Sequence, residues 1–208
     1  MNLANNLSQG LQTLQLNLSD ATQTQLLDYI ELLNKWNKVY NLTAVRQPSD
    51  MIQKHILDCL AIIPYVRGKQ ILDIGTGAGL PGILLAIARP DWHCVLLDSS
   101  AKKIRFVKQA ILELKITNAE VVCTRLENFK PSYQFSSIIS RAYSNLYNFY
   151  TQSAHLCATK GCLLAMKGVY PEQEIAKISG AQIKTIALKI PQLQAQRHLI
   201  IMQQLIKD

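Results

Sequence analysis

Apolar side chains in the first third of the chain recur at the spacing of a helix face. From Ser19, whose hydroxyl suits an N-cap, the positions Leu26, Leu27, Ile30, Leu33, Trp36 and Tyr40 predict a helix with one buried stripe. The turn Asn41-Leu42-Thr43 ends it. A second helix is expected after Pro48-Ser49, turning Ile52, Ile56, Leu57 and Leu60 inward until Pro64 stops it. Residues 1–66 therefore read as a small helical N-terminal extension.

Past Gly68 the period changes. Short apolar runs at 70–74, 93–97, 120–123, 137–140 and 162–166 alternate with helical patterns at 80–89, 101–115, 145–157 and 172–178. Strands that alternate with helices form a parallel sheet covered on both faces. The last two apolar runs, 183–190 and 198–205, are separated only by 191–197, too little for a crossover helix. They must pair as an antiparallel hairpin. The prediction is an α/β fold: residues 67–208 form a seven-stranded, mostly parallel sheet closed by a C-terminal hairpin and preceded by the extension.

A length of 208 residues suits one catalytic domain plus such an extension, and 49% hydrophobic against 17% charged residues excludes a disordered chain. Lys and Arg number 22 against 14 Asp and Glu, a net charge of +8 that favours an anionic partner, nucleic acid or a membrane surface. The most apolar stretch, 80–88, is too short to cross a bilayer, and residues 1–10 lack the basic start and apolar run of a secretory signal. A soluble, cytoplasmic protein without a membrane partner is expected. Five scattered cysteines, never spaced Cys-x-x-Cys, suggest reduced thiols and no metal site.

The first predicted strand ends in Asp73-Ile74 and runs into Gly75-Thr76-Gly77-Ala78-Gly79-Leu80-Pro81-Gly82 before a helix. Strand, glycine-rich turn and helix N-terminus make the place where open α/β sheets bind ligands. Ile83 stands where a phosphate-binding loop needs its lysine. Asp73 decides among nucleotides, because a carboxylate at that turn repels a pyrophosphate by about 1–4 kcal/mol and attracts a cationic ammonium. S-adenosylmethionine carries that ammonium, and Asp73, Gly75, Thr76, Gly77 and Gly79 are its candidate binding residues. Asp98, ending the second strand, suits ribose hydroxyls of any nucleoside. After the third strand, Leu126 and Glu127 either flank and read an adenine or belong to a plain surface loop. After the fourth come Ser140-Arg141-Ala142-Tyr143, and no acid lies between Glu127 and Glu172. Arg141 thus lacks a local partner, which suggests an anion contact or an arginine reaching to solvent.

Several blocks together resemble one family: Tyr40-Asn41-Leu42-Thr43, His55-Ile56-Leu57-Asp58, the run Asp73 to Gly82, Leu96-Leu97-Asp98-Ser99, Lys103-Ile104-Arg105-Phe106, Ser140-Arg141-Ala142, Lys167-Gly168 and Arg197-His198-Leu199. They are similar to the RsmG (GidB) family of bacterial 16S ribosomal RNA methyltransferases. The resemblance implies a class I methyltransferase (Rossmann-like) fold and S-adenosylmethionine as cofactor. It also implies methylation of ring nitrogen 7 of a guanine, guanine 527, on free rRNA or on an assembling small subunit. Gly75, Leu80, Leu126, Glu127 and Arg141 fall on the family's cofactor-contacting positions. The departures are Cys59 where serine is usual and Ser100-Ala101 where Leu-Gly is usual.

The residues agree with that chemistry. The loop after the fourth strand is not the Asn/Asp-Pro-Pro-aromatic loop common in exocyclic amine methylation, and no cysteine stands out as a nucleophile for carbon methylation. Ring nitrogen 7 already has an in-plane lone pair and no proton, so its methylation needs chiefly alignment. Arg141 is the candidate catalytic residue, orienting the cofactor's carboxylate or the guanine carbonyl. Candidate RNA contacts are Lys102, Lys103 and Arg105 at a helix start, Arg46 and His55 in the extension, and Lys167 and Arg197 at strand ends. The basic run is otherwise a solvated face, and His55 could instead pair with Asp58. A monomer is expected. An NAD-dependent oxidoreductase and a non-catalytic RNA-binding module are the alternatives.

Overall fold

In the computed structural model, which describes residues 2–141 and 144–205, the alternating runs become strands. They are β1 (Gln70–Ile74), β2 (His93–Asp98), β3 (Ala119–Cys123), β4 (Phe135–Arg141), β5 (Cys157–Lys167), β6 (Ala181–Ala187) and β7 (His198–Gln204). They form one sheet in the order β3-β2-β1-β4-β5-β7-β6. The first five are parallel, and β7 pairs antiparallel with both β5 and β6. The hairpin therefore folds back so that its second strand enters the sheet beside β5. Its register, Lys167 opposite His198, brings the start of β7 to the carboxyl edge of the parallel strands.

Alternate residues of a strand face opposite ways, so each strand supplies two cores. On one face Ile71, Leu96, Ile139 and Leu164 pack with Leu26, Tyr29, Ile30, Ile52 and Ile56 of the N-terminal segment. On the other, Leu72, Val95, Ile138 and Leu163 meet Leu146 and Phe149. The helices are α1 (Leu3–Thr13), α2 (Asp20–Tyr40), α3 (Pro48–Met51), a π-helical stretch Ile52–Leu57, α4 (Asp58–Leu60), α5 (Gly82–Ala88), α6 (Ala101–Glu113), α7 (Leu146–Ser153) and α8 (Glu172–Ile175).

Local chemistry sets the boundaries. The Ser19 hydroxyl accepts from the Thr22 N–H at the start of α2, and Asn41 closes it in a left-handed conformation at φ 48°. The predicted second helix is three segments, with a π-helical turn across Lys54 and His55. Helix α1 was not predicted, although its buried Leu7 and Leu11 stand at helical spacing. The five cysteines are free, and only Cys123 is exposed. Among the described residues no helix is long and apolar enough to cross a membrane, and no cluster of side chains suits a metal.

Candidate cofactor and substrate site

The loop between β1 and α5 is bent by glycines at positive φ, Gly75 at 69°, Gly77 at 60° and Gly79 at 87°, a region costly for side chains. The amides of Gly75 and Thr76 donate to the Leu97 carbonyl at 2.8 and 3.0 Å, tying the loop to β2. Asp73 organises it from beneath: Oδ2 accepts from the Thr76 hydroxyl at 2.6 Å and from the Gly82 N–H at 2.8 Å. A Cβ at Gly82 would lie 2.8 Å from that oxygen, so the close approach requires glycine. The other oxygen, Oδ1, is buried without a hydrogen-bond partner. Burial pushes the Asp73 carboxyl up to about 6, against the downward pull of the Thr76 and Gly82 hydrogen bonds. Asp98 grips the loop from the side, accepting from the Gly77 N–H at 2.9 Å and, on its other oxygen, from the Ser100 N–H at 2.8 Å.

Between the ends of β1, β2 and β3 opens a cleft of about 410 Å³ lined by Gly75, Asp98, Lys103, Arg125, Leu126 and Glu127 among others. Four of the predicted cofactor residues, Gly75, Asp98, Leu126 and Glu127, meet there. Asp73, Thr76, Gly77, Gly79 and Leu80 build the loop that forms its wall. Lys103, a candidate RNA contact, lines the cleft too, because the N-cap at Ser100 starts α6 beside Asp98.

Arg141 departs from its expected isolation. Its Nε lies 3.7 Å from Asp58 Oδ2, its NH2 donates to the Lys54 carbonyl at 3.0 Å, and its NH1 reaches Cys59 Sγ at 3.3 Å. The acid missing from its own neighbourhood in sequence comes from the extension. Asp58 is buried and also accepts from Arg197 Nε at 3.0 Å, so one carboxylate anchors two guanidinium groups. Burial raises the Asp58 carboxyl, while Arg141 and Arg197 pull it down. Arg197 is held a second time, its NH1 donating to the Gln196 carbonyl at 2.8 Å.

His55 does not pair with Asp58. It is buried, its Nε2 lies 3.0 Å from the Thr43 hydroxyl, and its Nδ1 lies 2.9 Å from the Lys54 carbonyl. Burial, followed by the Arg141 charge, lowers its pKa to about 4, so the ring is neutral at pH 7. Lys167 is not free either: its ammonium lies 2.9 Å from Glu174, beyond the acid-free interval. Arg46 donates to the Asn41 side chain at 2.9 Å, Lys102 sits 5.7 Å above the Tyr40 ring, and Arg105 is exposed. Ala142 and Tyr143 lie outside the described residues. Sequence reasoning missed two contributors. Asp58 was noted only as a partner of His55, and Tyr29, whose hydroxyl donates to the Ala78 carbonyl at 2.7 Å, was not singled out.

The comparisons with known proteins fit this geometry. Residues 22–200 match the family model described as rRNA small subunit methyltransferase G. A protein named ribosomal RNA small subunit methyltransferase G from Laribacter hongkongensis is 50% identical over 202 residues, 96% of this chain and 98% of that one. One of the same name from Nitrosococcus oceani is 48% identical, over 94% and 92% of the two chains. The magnesium protoporphyrin IX methyltransferase from Synechocystis, solved with bound S-adenosylmethionine, shares the fold with a TM-score of 0.58 at 17% identity, over 90% of this chain and 98% of that one.

Proposed function

The chain belongs to the rRNA small subunit methyltransferase G family, and from that premise we propose that it methylates ring nitrogen 7 of a guanine, guanine 527, in 16S ribosomal RNA, with S-adenosylmethionine as cofactor. One observation carries the cofactor: two acids flank one glycine loop, and one of them, Asp73, keeps a buried oxygen without a partner. That oxygen suits a cationic ammonium, directly or through water, and would repel a pyrophosphate. Asp98 would hold the ribose, with Leu126 beside the adenine and Glu127 or a neighbouring amide at its edge. The cofactor supplies an electrophilic methyl on a sulfonium.

The protein's own residues hold and align. Arg141, fixed by Asp58 and the Lys54 carbonyl, keeps a positive charge at the carboxyl end of β4, where it orients the cofactor's carboxylate or the guanine carbonyl. A guanine ring nitrogen has no proton to give up, so alignment replaces general base catalysis. Parallel calorimetric titrations with S-adenosylmethionine and NAD test the cofactor, and mass-spectrometric mapping of 16S rRNA after reaction tests the product. Methylation at guanine nitrogen 7 is expected. Binding of NAD alone would discard the whole reading, and a methyl on another atom would discard only the finer part.

A further inference from the structure

The sheet edge that holds the cleft continues past β4 to β5 and β7. With strands about 4.8 Å apart, the end of β5 stands about 10 Å along that edge from β1. Here the chain leaves the sheet at Gly168 and presents two large apolar side chains to solvent, Val169 at 77% and Tyr170 at 47% exposure. The Tyr170 ring leans on the His198 imidazole, with centroids 5.8 Å apart and planes at 61°. His198 is itself fixed, since its Nδ1–H donates to the Gly168 carbonyl at 2.8 Å. Beside them Arg197 is anchored on Asp58, and its NH1 would lie 3.9 Å from a Cβ at Gly168. An exposed aromatic ring is thus propped next to an anchored guanidinium, on the edge where the substrate must approach.

We propose that Tyr170, propped by His198, is a stacking platform for an RNA base next to the methylated guanine, with Arg197 at the adjoining phosphate. The proposal rests on the function given above. An aromatic face stacks on any base, and the guanidinium N–H groups that Arg197 does not spend on Asp58 and the Gln196 carbonyl can meet a phosphate. The net charge of +8 suits a polyanion better than an apolar peptide. The offset along the edge assigns the platform to a neighbouring nucleotide, leaving the target base to the cleft.

Single-turnover methylation of 16S rRNA by the full chain, with the RNA titrated at saturating S-adenosylmethionine, tests it. Tyr170→Ala should raise the RNA concentration for half-maximal rate about tenfold, and Tyr170→Phe should recover most of that loss. Calorimetry should show no matching loss of S-adenosylmethionine affinity in Tyr170→Ala. The indole emission of Tyr170→Trp should be quenched when RNA is added. If wild type methylates rRNA and Tyr170→Ala needs no more of it, the platform is overturned and the function stands. A wild type inactive on rRNA would overturn the function itself. Sedimentation showing that Tyr170→Ala abolishes self-association without touching RNA use would make this face a contact between copies, and would also overturn the platform.

Discussion

Asp73 is pulled in two directions: burial favours its neutral form, and two hydrogen bonds favour its charge. With the pKa raised to about 6 from an unfolded value near 3.9, its contribution to stability is full below about pH 4 and lost as pH rises to about 6. A bound ammonium favours the carboxylate, so binding expels a proton in that window. S-adenosylmethionine affinity should therefore fall as pH drops below about 6, approaching tenfold per unit, and Asp73→Asn should flatten the dependence in calorimetry. Asp73→Ala should weaken binding by about 1.5–3 kcal/mol, and unchanged affinity in a folded variant would remove the residue from the site. His55 has the opposite sign. Its pKa is lowered to about 4, so its contribution is present above pH 6.5 and lost as pH falls toward 4. The melting temperature of His55→Gln minus that of wild type should become more positive over that fall, and a constant difference would mean the ring titrates normally. At Arg141 the chemistry itself is at issue. Single-turnover methyl transfer should show no ionisation step from about pH 6.5 to 9, and Arg141→Lys, which loses the planar fork, should be slow at every pH in that range. Recovery of that variant at high pH would reveal a general base and a different nucleophile.

The elements were legible where they follow from neighbouring residues. Buried parallel strands read as short apolar runs, so β1 was found to the residue and the edges of β4 and β5 were set too short, because Phe135 and Cys157 lie across polar positions from the main runs. The caps at Ser19 and Asn41 were legible for the same local reason. Strand order was not, since the placing of β7 between β5 and β6 depends on which edge accepts it. The site divides along the same line. Asp73, Asp98 and the glycines are joined by a tight turn and one parallel pairing, so spacing reveals them. The partners of Arg141 come from a distant segment that meets it only through the fold. Helix α6 shows the limit sharply. Lys102 and Lys103 are adjacent in sequence, yet Lys103 lines the cleft while Lys102 lies over Tyr40. Lys103→Ala should therefore alter cofactor affinity. Lys102→Ala should reduce the salt dependence of RNA binding by about one unit of slope and leave cofactor binding intact. Identical effects of the two substitutions on both ligands would show that the helix start acts as an undivided basic surface.

Over the whole molecule, the N-terminal helices are more than an attachment to the sheet. Leu26, Tyr29, Ile30, Ile52 and Ile56 are fully buried in the same cluster as Ile71, Leu96 and Ile139 of the strands and Ile83 and Phe106 of α5 and α6, so removing residues 1–66 would open that cluster to water. It would also take away Asp58, leaving the Arg141 guanidinium without its acid, and Tyr29, which holds the glycine loop at Ala78. Breaking a buried pair costs about 3–5 kcal/mol, a large share of the 5–15 kcal/mol that a domain usually has, and the opened cluster adds to it. We infer that 67–208 contains the cofactor-binding machinery but does not fold alone. The isolated fragment should keep helical and strand signal in far-ultraviolet circular dichroism, lose its near-ultraviolet signal, bind a hydrophobic dye and fail to bind S-adenosylmethionine. In the full chain, Asp58→Ala is the milder form of the same cut. It should lower stability by about 3 kcal/mol in urea unfolding and slow methyl transfer, because Arg141 and Arg197 lose their common anchor. A fragment 67–208 that unfolds cooperatively and binds the cofactor with full affinity would show instead that the helices are a separable module, and that the site is complete without them.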